Sequence, residues 1–70
     1  MDNKKDILKD IYGSSNVSRA DIARLLISNF NEINMKFQSY KKDYEDDNVI
    51  LRDILQLYKE AIELYTNIVL

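Results

Sequence analysis

The chain has 70 residues with no Cys, no His and no Pro, one Gly, and a formal net charge of −2. Disulfides are therefore impossible, and a transition-metal site lacks its usual ligands. The mild acidity is the wrong sign for a phosphate-binding footprint, and no apolar run approaches the roughly 20 residues of a membrane span.

A chain this short reads as one domain, residues 1–70. A core of that size rarely supplies more than about 3–5 kcal/mol unaided, so regular helix packing or self-association has to supply the rest. Met1 to Asp10 is mostly charged, so no signal peptide is expected and a cytoplasmic location is. The richness in Ile, Asn, Lys, Asp and Tyr fits an AT-rich coding genome, as in a low-GC bacterium, its phages or its plasmids.

The first expected helix spans residues 2–12, capped by Asp2 or Asn3, with Ile7, Leu8, Ile11 and Tyr12 on one side. Gly13 stands just after it, where a left-handed residue is wanted, and Ser14, Ser15 and Asn16 continue the loop. The second helix, 18–45, has the clearest start in the chain. Ser18 and Asp21 have capping-box spacing, and Val17 and Ile22 flank them as a hydrophobic staple.

Down this second helix Ala23, Leu26, Phe30, Ile33, Phe37, Tyr40 and Tyr44 step alternately by three and four. That is one apolar stripe at the coiled-coil period. The early turns add Ile22, Leu25 and Ile27, a wider arc that calls for a second neighbour. The short first helix is expected to cover it.

Asp46, Asp47 and Asn48 are weak helix formers and read as a tight loop and a new N-cap. The third helix, 48–69, is apolar over about half its circumference, too wide for one partner. The fold class that follows is all-α: a short N-terminal helix packed on a long antiparallel helical hairpin. In that hairpin Phe37 meets Tyr58, Ile33 meets Ala61 and Phe30 meets Tyr65. Such three-helix protomers are expected to join into an oligomeric bundle. The alternative is one continuous helix over 18–70 in a coiled coil, about 80 Å long. The three-four step runs on through Tyr44, Asp47, Leu51 and Ile54, and no Pro forbids it.

Motifs for chemistry are scarce. Val17 to Leu26 has the look of a helix-turn-helix opening. However, Ile27 stands where the turn glycine belongs, and no basic recognition helix follows. Asp43, Glu45 and Asp47 alternate like the start of a calcium loop, yet Asn48 and Ile54 occupy the positions that need Gly and Glu. Without His or Cys a nucleophile would need Ser, Lys or a shifted carboxylate, and no paired carboxylates face an apolar stripe. No catalytic, cofactor-binding or metal residues are assigned, and no enzyme activity is expected.

What remains is a surface. The first helix, about 16 Å long, is expected to cover the end of the hairpin away from its loop. Phe37, Tyr40, Tyr44, Leu51, Leu55 and Tyr58 would then stay uncovered, rimmed by Lys41, Lys42, Asp43, Asp46 and Asp47. Aromatic residues inside a charged rim are the anatomy of a protein-binding patch. Ile68, Val69 and Leu70 add an apolar end that calls for a second copy. The expected function is a non-enzymatic protein–protein interaction module. It would be a small regulator or inhibitor, with itself or another protein as partner and with neither membrane nor nucleic acid. Two readings stand beside it: a small transcriptional regulator binding DNA, and a purely structural self-assembling helical protein.

Overall fold

The computed structural model describes residues 3–69, with the element order α1 (Asn3–Tyr12), α2 (Arg19–Asp43) and α3 (Asn48–Val69). Asp2 and Leu70, assigned above to a cap and an apolar end, lie outside the described residues. The class is all-α, with three helices packed against one another.

Local chemistry sets each boundary. Gly13 takes φ +86°, and its N–H donates to the Lys9 carbonyl at 2.8 Å. This ends α1 with the left-handed residue that only glycine adopts cheaply. At the start of α2 the Asp21 N–H donates to Ser18 Oγ at 3.1 Å, and the Ser18 N–H donates to Asp21 Oδ2 at 3.3 Å. The capping box is complete with Asp in place of Glu. Arg24 pairs with the same carboxylate, so Asp21 is held below the usual range by Arg24 first and then by Ser18.

α2 ends two residues before the expected limit, and Tyr44 to Asp47 form a turn. The Asp47 N–H donates to the Tyr44 carbonyl at 3.0 Å. Asp47 then caps α3, its Oδ1 accepting from the Val49 and Ile50 N–H groups, each at 3.2 Å. That cap makes the hairpin and excludes the continuous helix. The longest dimension of the molecule is 33 Å, whereas one helix over 18–70 would need about 80 Å.

The hairpin has the register read from the stripe. Phe30 stacks on Tyr65 with ring centroids 4.2 Å apart, and Phe37 meets Tyr58 edge-on at 5.2 Å. Ile7 and Ile11 from α1, Leu26, Ile33 and Phe37 from α2, and Ile54, Leu57 and Ala61 from α3 form the buried core.

One feature of α2 departs from a regular helix. Asn29 has φ −139° and ψ 42°, which kinks the helix between its third and fourth turns. A straight 25-residue helix would run about 37 Å, longer than the molecule itself. Ser28 and Asn29 are residues whose side chains compete for backbone groups, the kind found where a helix gives way.

The kink bears on where α1 sits. Arg19 and Phe37 would stand about 27 Å apart on a straight helix. Yet Tyr12 packs edge-on against Phe37 at 6.1 Å and also lines a cleft with Arg19 and Ile22. The Tyr40 hydroxyl donates to Asp10 Oδ2 at 2.8 Å. Thus α1 crosses the middle of the hairpin and reaches the level of Phe37 and Tyr40, further toward the loop than its length suggested.

Candidate protein-binding surface

The six residues expected to form one open patch are divided by the fold. Phe37 is 2% exposed and belongs to the core, because Tyr12 covers it from α1 and Tyr58 from α3. Its place in an uncovered patch is therefore corrected. Tyr40 is half-buried, its hydroxyl tied to Asp10. Tyr58 is half-buried too, its ring on Phe37 and its hydroxyl donating to Asn34 Oδ1 at 2.7 Å. These three serve the fold first. Tyr44 stays on the surface, stacked on Tyr40 with centroids 5.1 Å apart.

Leu51 and Leu55 behave differently. Leu55 is 43% exposed and Leu51 half-buried, and neither belongs to the core or to the partly buried residues packed on it. Ile62 and Val69 share that standing. At 100° per residue these four side chains fall within an arc of about 40° along α3. Tyr58 and Tyr65 lie between that arc and α2, whereas Ile50, Leu57, Ala61 and Leu64 turn toward α1. So α3 has three apolar sectors and only two neighbours. The third sector runs the length of the helix with the steps 51, 55, 58, 62, 65 and 69.

Chemistry at the rim differs between the two sides of α3. On the outer side a shallow groove of about 580 Å³ is bordered by Leu51, Leu55, Arg52, Lys59, Asn48 and Gln56. Its charged members are basic. On the α1 side a cleft of about 470 Å³ lies between Leu8, Tyr12, Ile22 and Leu64, with Glu60, Glu63 and Arg19 also lining it. There, burial first and the Glu60 carboxylate second push the Tyr12 hydroxyl up to about 12. The Tyr40 hydroxyl is also raised, by burial and then by its bond to Asp10. Both tyrosines stay neutral through the physiological range.

The acids that alternate through the α2–α3 turn do structural work. Asp47 gives its carboxylate to the cap of α3. Among the described residues, no group of three or more acidic side chains is placed to hold a metal ion. Nor is any helix among them long and apolar enough to cross a membrane.

Arg52, Lys59 and Ile62 went unassigned from the sequence, though the signal was there. Ile62 continues the spacing of Leu51, Leu55 and Tyr58, and Arg52 and Lys59 stand seven residues apart along its flank.

No family model matches the chain, and no curated protein or solved structure matches it either.

Proposed function

We propose that the chain is a non-enzymatic protein–protein interaction module that works through the outer face of α3. One observation carries this reading. Leu51, Leu55, Ile62 and Val69 keep helical spacing along a face outside the core cluster, with Leu55 and Val69 exposed and Leu51 and Ile62 half-buried. A core-facing helix needs an apolar arc for its neighbours, and an extra sector beyond that arc marks an interaction site. The rest of α3 explains why the sector is not simply spare core. Ile54, Leu57 and Ala61 already fill the space between the helices, and Tyr58 and Tyr65 close the seam with α2.

The reading is tested by placing a photo-crosslinking amino acid at Leu55 and, as a control, at Met35 on the far side of α2. Both positions are exposed. In cells of the native host, Leu55 is expected to crosslink to another protein and Met35 is not. Equal crosslinking at the two positions, or none at Leu55, would overturn the assignment.

A further inference from the structure

The groove over Leu51 and Leu55, in the first half of the uncovered sector, is lined by charge of one sign, and that selects its occupant. Arg52 and Lys59 border the groove over Leu51 and Leu55. From α2, Lys41 faces the same side. It stands two helical turns beyond Asn34, whose side chain accepts from Tyr58, and the hairpin register sets it level with Ile54. Among the described residues none of these three cations has an ion pair. Of the α3 carboxylates, Glu63 stands one turn beyond Lys59 on the same flank, past the end of the groove lining. Glu60 and Glu63 line the cleft on the α1 side, and Glu60 also accepts from the Gln56 amide. Glu45 and Asp46 sit in the turn beyond Asn48, at the end of the groove.

We infer that the groove over Leu51, Leu55 and Ile62 takes an acidic amphipathic helix from a partner protein. This rests on the reading of α3 as an interaction face and names the chemistry of its partner. The stripe from Leu51 to Val69 runs about 27 Å, which matches five turns of a docked helix. Apolar residues of that helix at three-four spacing would lie over Leu51, Leu55 and Ile62. Its flanking Glu or Asp would meet Arg52 and Lys59 on one side and Lys41 on the other.

A second copy of this chain fits the face less well. A second α3 docked on this face would bring its own Arg52 and Lys59 to the groove, with Glu63 as the one carboxylate on that flank. Like charges so placed oppose association.

The test uses the whole chain, labelled for amide NMR, and two synthetic helical peptides. Both carry the same leucine stripe. One has Glu at every flanking position and the other has Lys. The Glu peptide is expected to shift the amides of Leu51, Leu55, Lys59 and Ile62, and to bind several-fold less tightly when salt is raised from low to moderate ionic strength. The double variant Arg52→Glu and Lys59→Glu, whose side chains are exposed, should keep the helical circular dichroism of the parent. It should lose about tenfold in affinity for the Glu peptide and gain for the Lys peptide.

Equal or tighter binding of the Lys peptide by the parent, or no binding of either, would overturn the acidic partner. So would shifts at the same amides that grow with protein concentration alone, which would mean a second copy. If Leu55 still crosslinks to another protein in those cases, only the charge class is wrong and the interaction face stands. If Leu55 does not crosslink, the face itself is wrong.

Discussion

Tyr58 and Leu55 sit three residues apart on α3 and do different work. The Tyr58 ring meets Phe37 and its hydroxyl donates to Asn34, whereas Leu55 is 43% exposed and outside the core cluster. Urea denaturation should separate them. Tyr58→Phe removes only the hydrogen bond and should cost about 0.5–1.5 kcal/mol. Tyr58→Ala also removes a half-buried ring and should cost about 2–4 kcal/mol. Leu55→Ala should stay within about 0.5 kcal/mol of the parent. A loss at Leu55 as large as that of Tyr58→Ala would place Leu55 in the core and remove the open face. The sequence pattern could not make this division. Phe37, Tyr40, Leu51, Leu55 and Tyr58 all fall on apolar arcs at helical spacing, and spacing tells which face a residue occupies. It does not tell how far a third helix reaches over that face, which here decides that Phe37 is core and Leu55 is not.

At the scale of elements, legibility followed the range of the interaction. Ser18 with Asp21 and Gly13 after Tyr12 are contacts within three or four residues and could be read directly, while the α3 cap was read only as lying among Asp46 to Asn48 and falls on Asp47. Their weight can be measured. Ser18→Ala breaks the capping box and Asp47→Ala leaves two N–H groups of α3 without their acceptor. Each should cost about 1 kcal/mol in thermal or urea unfolding, and a change under about 0.3 kcal/mol at both sites would show the caps to be idle. Asp21 adds a pH signature. Its carboxyl is lowered from 3.8 in the fold, so its contribution is present above that value and fades as pH falls through the lowered one. Arg24→Ala should shrink that acid dependence. The kink at Asn29 was not legible in the stripe. Leu26, Phe30 and Ile33 keep the three-four step across it, because one residue can leave helical geometry without changing the count. Only the weak formers Ser28 and Asn29 hinted at it, and such residues also occur in unbroken helices.

Over the whole molecule, α1 is joined to the hairpin by the Tyr40 hydroxyl and by the Tyr12 ring as well as by its apolar face. Tyr40 donates to Asp10, and Tyr12 lies over Phe37 beside Glu60. Both hydroxyls are raised above their ordinary value of 10.0, Tyr12 to about 12. For an acid whose folded value is raised, the neutral form belongs to the fold. The stability tied to it is complete below pH 10.0 and is lost as pH rises from there through the folded value, about 12 for Tyr12. Ionised Tyr40 could no longer donate to Asp10 and would face its carboxylate, and ionised Tyr12 would face Glu60. Loss of α1 would expose Ile7 and Ile11 together with Phe37 beneath them, so the fold should fail as one step. Helical circular dichroism and tyrosinate absorbance are expected to change together in this alkaline window. The variant is the deciding control. The double variant Tyr12→Phe and Tyr40→Phe keeps both rings and every lysine. At neutral pH it should be less stable by about 0.5–1.5 kcal/mol for the lost bond to Asp10, yet it should unfold at a higher pH than the parent. If the variant and the parent unfold at the same alkaline pH, then other groups set the limit and ionisation of these two hydroxyls does not release α1.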